Sequence, residues 1–242
     1  MHGECRFVDP FVIRVLDDSV GEDMGDTVKL NVAIAGASGL VGGHCVDELL
    51  VSPRVESVLS VARREGAPRE GLSHQVVSFD APVSLLRNVD VGFSALGTTI
   101  KKAGSQAAFR AVDLDANLRF AEACKAAGCS TFVLVSSLGA SSKSRVFYNK
   151  VKGEAEERVR ALGFRTTVIL RPSILVGERN EQRAGEGVGL FFGNALAPLM
   201  VGSLKRYRPI HAKVVAKAMA ASIQYSAGVY VFESEELADR YA

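Results

Sequence analysis

Short apolar runs alternate along this chain with longer stretches in which apolar residues recur every three or four positions. Asn31 to Ala35, Val55 to Val61, Gln75 to Phe79, Asp90 to Ala95, Thr131 to Val135, Thr166 to Leu170 and Val229 to Phe232 are brief and rich in β-branched or aromatic residues. They read as strands buried on both faces. Between them, Leu40, Val41, Val46, Leu49 and Leu50 recur at helical spacing. Further helices are predicted over Gln106 to Ala127, ending at Gly128, over Tyr148 to Leu162, ending at Gly163, and over Val214 to Ile223. Regular alternation of this kind predicts an α/β fold with a doubly wound parallel sheet. Ligands of such sheets lie in the crevice beyond the carboxyl ends of the strands.

Composition adds limits. The chain has 242 residues, of which 48% are hydrophobic, enough for one large core. A formal net charge of +2 without a basic run argues against nucleic acid as a partner. No stretch has the length and apolarity of a membrane span. Cys5, Cys45, Cys124 and Cys129 show no metal or redox spacing, and no metal site is expected; Cys45 and Cys124 read as apolar fillers on helices. Residues 1–28 carry seven acidic residues against Arg6 and Arg14, unlike a basic transit peptide. The expectation is therefore a cytoplasmic protein with an acidic extension over 1–28, which is either a flexible arm or a segment that docks through Phe11 to Leu16. Residues 29–242 are expected to form a single domain, with a small substrate lobe from about 172.

Candidate chemistry begins where the first predicted strand runs into Gly36-x-x-Gly39-x-x-Gly42 and then a helix. In that setting Gly36 makes the turn, Gly39 lets backbone N–H groups approach a pyrophosphate, and Gly42 allows close helix–strand packing, with Ser38, Leu40 and Val41 at the helix start. This is a Rossmann dinucleotide fingerprint. About 20 residues beyond Gly42, where an NAD enzyme places an acid for the ribose, stand Ala62, Arg63 and Arg64. Two guanidiniums there suit a 2′-phosphate and favour NADP(H), although exposed loop arginines are a second reading.

Tyr148 and Lys152 stand at i and i+4, on one face of a helix. There an ammonium can pull the phenol pKa from about 10 toward neutrality. The phenol could then exchange a proton with a substrate oxygen. The spacing alone is common, and it gains weight from the fingerprint and from Ser136-Ser137 at the end of a predicted strand.

Together, the glycine motif, Asp80 after the third predicted strand, Leu96-Gly97-Thr98, Ser136-Ser137, Tyr148-x-x-x-Lys152 and Arg171-Pro172 resemble the extended, atypical branch of the short-chain dehydrogenase/reductase superfamily. Gly92 to Thr99, Lys102-Ala-Gly104, Val151-Lys-Gly-Glu154 and Gly193 after Phe191-Phe192 resemble the HIV Tat-interactive protein (CC3) family in particular. The resemblance implies that Tyr148 is the general acid, Lys152 the ribose ligand and Ser137 the group that holds a substrate carbonyl. It also implies that Phe79 and Asp80 flank the adenine, that Leu96, Gly97 and Thr98 line the ribose and pyrophosphate, and that Pro172 and Ser173 offer backbone groups to the carboxamide. His211 matches a pattern before the last predicted helix, with a structural role expected. One position departs from the superfamily: Asp113 stands where many members have an active-site asparagine, with Asn117 one turn later. Two functions stay open, namely reduction of a small carbonyl compound and an NADP(H)-bound regulatory or scaffold role with a protein partner. With only about 70 residues after Arg171, a bulky sugar nucleotide is not the expected substrate. Gly177 to Gly193, glycine-rich and charged, is expected to be either a lid or an ordered surface loop.

Overall fold

A computed structural model describes residues 28–85, 88–177 and 202–242, the side chains of 202 and 203 excepted. The acidic extension lies outside the described residues except for Val28, and so does the glycine-rich segment except for Gly177. Seven parallel strands form one sheet: β1 (Leu30–Ala35), β2 (Val55–Ala62), β3 (Leu72–Val76), β4 (Val91–Ser94), β5 (Thr131–Val135), β6 (Thr166–Arg171) and, last in the chain, β9 (Gly228–Glu233). Their order is β3-β2-β1-β4-β5-β6-β9. This is the Rossmann-like, doubly wound α/β fold that the alternation implied. Two-residue strands β7 (Leu175–Val176) and β8 (Ile210–His211) pair with each other apart from it.

The apolar runs explain the layers. Successive residues of a strand face opposite ways, so each buried strand serves two cores. Val32 and Ile34 of β1 and Val133 and Val135 of β5 pack with α1 (Leu40–Val51) and α6 (Ala212–Ala221), through Cys45, Leu49, Val215 and Met219. Ala33, Ala35, Phe132 and Leu134 face the other way, onto α4 (Asn117–Ala126) and α5 (Phe147–Ala161), through Phe120, Cys124 and Val159. Cys45 and Cys124 are thus the buried fillers the pattern implied, and burial raises both thiol pKa values well above the ordinary range.

Several elements differ from the sequence expectation. β3 begins at Leu72 rather than Gln75 and ends before Phe79. It is an edge strand with only partial burial, so it lacks the continuous apolar run that marks the others. The expected helix from Gln106 is three pieces: α3 (Gln106–Arg110), a π-helical turn (Ala111–Ala116) and α4. The short α2 (Ile100–Ala103) precedes it, and α7 (Ser234–Tyr241) follows β9. Gly128 and Gly163 take positive φ of 89° and 64° just past α4 and α5, as their helix-ending positions require.

Candidate functional site

The strand order reverses between β1 and β4, which opens a crevice at their carboxyl ends. Gly36 leaves β1 with φ 89°, and a Cβ there would lie 2.6 Å from the Ala95 carbonyl oxygen at the end of β4. A Cβ on Gly42 would lie 2.1 Å from the Gly36 carbonyl oxygen, so α1 approaches the turn more closely than any side chain permits. Gly39 is the N-cap of α1, and no side chain caps the helix. The first-turn N–H groups, with the positive end of the helix dipole, are left facing the crevice mouth. Ser38 and Gly39 are exposed there, Leu40 is half-buried, and Val41 and Gly42 are buried. This cradle has the donors and the clearance that a pyrophosphate needs.

Arg63 and Arg64 are exposed immediately beyond β2, at the same sheet edge. Phe79 is buried and its carbonyl accepts from Arg119 Nη1, while exposed Asp80 takes the Ser78 hydroxyl at 3.2 Å. Leu96, Gly97 and Thr98 leave β4 beside the glycine turn. Asn117 secures that exit: its Oδ1 accepts from the Ser94 hydroxyl at 2.6 Å, and its Nδ2 donates to the Leu96 carbonyl at 3.4 Å.

Tyr148 and Lys152 lie on α5, with the Tyr148 ring 5.3 Å from that of Phe109. Lys152 is buried, and its Nζ stands 2.7 Å from Asp113 Oδ1. Burial alone would lower the lysine pKa. The Asp113 carboxylate, aided by Tyr148 and Glu156, more than offsets that and holds it above the ordinary value. Asp113 is also buried, and its Oδ2 accepts from the Thr98 N–H at 2.9 Å. The residue sits in the π-helical turn, a feature frequent at functional sites. Sequence comparison marked Asp113 as a departure; that it meets Lys152 could not be read from spacing, because the two stand 39 positions apart on different helices.

The serine pair divides. Ser136 is buried and donates to Glu156 Oε1 at 2.5 Å, whereas Ser137 is half-exposed beyond the end of β5. Glu156 also takes two hydrogen bonds from Arg171, at 2.9 and 2.6 Å. The loop from Ser137 to Val146 is tied to α5 at Gly153, where a Cβ would lie 2.2 Å from the Ser141 and Ser142 backbone. After β6, the Pro172 carbonyl accepts from the Leu138 N–H at 2.9 Å, and the Ser173 hydroxyl joins the Arg208 carbonyl and the Ser234 hydroxyl. His211 is the N-cap of α6, its Nδ1 accepting from the Lys213 N–H at 3.2 Å. Among the described residues no cluster of His, Cys, Asp and Glu could hold a metal, and no helix is long and apolar enough to cross a membrane.

A family described as NAD(P)H-binding matches residues 36–224, a span from the glycine turn to the end of α6 and just beyond. The chain belongs to that family. It is also 41% identical over 177 residues to the protein fmp52, mitochondrial, of Emericella nidulans, covering 69% of this chain and 76% of the relative. A Coccidioides immitis protein of the same name is 39% identical over 208 residues, covering 78% and 84%. Among solved structures, MoeE5 in complex with UDP-glucose and NAD aligns over 86% of this chain and 80% of its own at a TM-score of 0.61 and 21% identity. A UDP-N-acetylglucosamine 4-epimerase from Methanobrevibacter ruminantium M1 aligns over 85% and 77%, at 0.63 and 18%. At these identities the structures show the shared fold. The family match bears out the expected NAD(P)H-binding protein of Rossmann-like fold. One expectation falls: relatives named mitochondrial overturn the cytoplasmic placement. The acidic start of the chain had excluded only a basic, amphipathic transit peptide, and that test does not extend to other routes of import.

Proposed function

We propose that this protein takes NADP(H) along the carboxyl edge of the sheet and reduces a small carbonyl compound. The uncapped α1 N-terminus and the Gly36–Gly42 turn would hold the pyrophosphate. Arg63 and Arg64 would hold a 2′-phosphate, Phe79 and Asp80 the adenine side, and Leu96 to Thr98 the riboses. When bound, the nicotinamide supplies a hydride. Ser137 would orient the substrate oxygen, Tyr148 would deliver a proton to it, and Lys152 would bind ribose hydroxyls while favouring the ionised phenol. Pro172 and Ser173 would close the nicotinamide end.

The observation that carries this reading is a buried, charged Lys152 beside the exit of β4, on the same helix face as Tyr148. Tyr148→Phe keeps the ring and removes the proton. NADPH binding should persist while reductase turnover falls by about 10² or more. A variant that reduces its substrate at the native rate would remove Tyr148 from the chemistry. The finer resemblance to the CC3 family supports a second reading, an NADP(H)-holding regulator that acts through a protein partner. Absence of turnover across small aldehydes and ketones, with tight cofactor binding, would favour it. The names of the relatives support a mitochondrial location, which fractionation of cells expressing the tagged full chain would test.

A further inference from the structure

Lys152 is a side chain that is costly to leave charged where it lies. It is buried on α5, next in sequence to Val151, which packs with Phe109, Leu114 and Ala155 in an apolar cluster that Tyr148 also joins. An ammonium in such surroundings sheds its proton unless a partner holds it. Asp113 is that partner, at 2.7 Å. Its other oxygen is held by the Thr98 N–H, so the carboxylate cannot swing away without breaking the exit of β4. Oδ1 has no aligned hydrogen bond of its own among the described residues, which leaves the ammonium as its partner. Gly97 shares in the arrangement: a Cβ there would lie 3.4 Å from Asp113 Oδ1 and 3.6 Å from Lys152 Nζ. The Gly97 backbone thus lies against both charged groups, at the exit of β4.

We propose that Asp113 is a positioning residue that keeps the Lys152 ammonium charged and fixed beside Gly97, ready for ribose hydroxyls before any ligand arrives. An asparagine could accept a hydrogen bond at this place but could not hold the charge. The π-helical turn presents the carboxylate to α5. Other charged groups facing Lys152 are committed elsewhere. Glu156, one turn along α5, is bonded by Ser136 and Arg171 and stands 3.6 Å from Arg160 Nη2. Arg171 is shared in turn with Glu233 of β9. Tyr148 is a phenol. The nearby Glu154 on α5 pairs with Arg110 at the end of α3.

This inference rests on the NAD(P)H reading for what Lys152 serves, so the test reads the unliganded chain first. In the native protein Lys152 stays protonated past the ordinary lysine value. Its contribution to stability is present below about pH 10 and is lost only as pH rises through the folded value. Asp113→Asn leaves burial largely unopposed, so the folded pKa drops below the unfolded one. The variant should then gain stability relative to the native chain as pH rises from about 6 to 9, because the unfolded state binds the proton more tightly. Urea unfolding of the full chain at several pH values measures this. A deficit that is constant across that range would overturn the proposal and leave Asp113 a merely structural residue.

NADPH titrations then supply the second arm. Affinity of Asp113→Asn should fall by about tenfold or more between pH 6 and 9, while the native chain changes little and Asp113→Glu restores its behaviour. Parallel pH profiles for Asn and native chains would overturn it. Should Asp113→Asn fail to fold, Asp113→Asn/Lys152→Met removes both charges. Recovery of folding in that pair supports the proposal, and equal failure overturns it. If the native chain binds no NADPH, the functional reading fails while the unfolding data still decide the role of Asp113.

Discussion

Arg63 and Arg64 offer the sharpest single-residue question about the cofactor. Both are exposed at the tip of β2 with no acid where an NAD enzyme places one. If they grip a 2′-phosphate, two charge-assisted contacts should favour NADPH over NADH by about 2–4 kcal/mol. Replacing both with alanine should abolish the preference, and calorimetry on the two chains measures it; equal affinities in the native protein would refute the assignment. Residues of this kind were legible because their chemistry lies in local order: strand, glycine turn, helix, then a strand tip. The reasons the glycines stand where they do were equally local, and the close approach of Gly36 to Ala95 and of Gly42 to Gly36 supplies the clearances. Asp113 was legible only as an oddity. Its importance depends on a contact with Lys152 that no spacing rule contains.

Strands and helices were readable where burial was strong. β1, β4, β5 and β6 are nearly continuous apolar runs because helices cover both faces, and their pattern points to one assignment. β3 shifted because an edge strand is half-buried, and the apolar Phe79 that seemed to end it packs beyond the strand instead. α7 escaped notice because Ser-Glu-Glu-Leu-Ala-Asp-Arg-Tyr buries little besides Leu237, and its start is set by reciprocal bonds between Glu233 and Glu236. The π-helical turn could not be foreseen, since a local change of hydrogen-bond register is selected by tertiary contact rather than by propensity. At this scale Glu156 is the junction to probe. It joins α5 to β5 through Ser136 and to β6 through Arg171, and Arg171 reaches β9 through Glu233 at 2.8 Å. Glu156→Ala leaves the Arg171 guanidinium to Glu233 and the buried Ser136 hydroxyl without its acceptor, and unfolding free energy should drop by about 1–3 kcal/mol. A urea midpoint within error of the native chain would show that the junction is dispensable.

At the level of the whole molecule, the cofactor would touch parts of the chain that are far apart in sequence. The glycine turn, the tip of β2, the exit of β4, and α5 with Tyr148 and Lys152 all meet at one edge of the sheet. A ligand that contacts all of them binds only the folded chain, since unfolding scatters its contacts. Stability must then rise with ligand concentration as RT ln(1 + [L]/Kd), about 2.7 kcal/mol at a hundredfold excess over Kd. For a chain of this size each kcal/mol moves the midpoint by roughly 2–4 °C, so saturating NADPH should raise Tm by roughly 5–11 °C. NADH at the same concentration should raise it less, by the margin that Arg63 and Arg64 set. Tyr148→Phe should keep nearly the full shift, because it loses a proton donor and few contacts. Lys152→Ala should lose much of it, because a charged ribose ligand is gone and Asp113 is left buried without its counter-ion. Differential scanning calorimetry across these four cases separates binding from chemistry without any known substrate. A Tm indifferent to both nucleotides would mean that this edge of the sheet, whatever its family, does not take the dinucleotide in the folded chain.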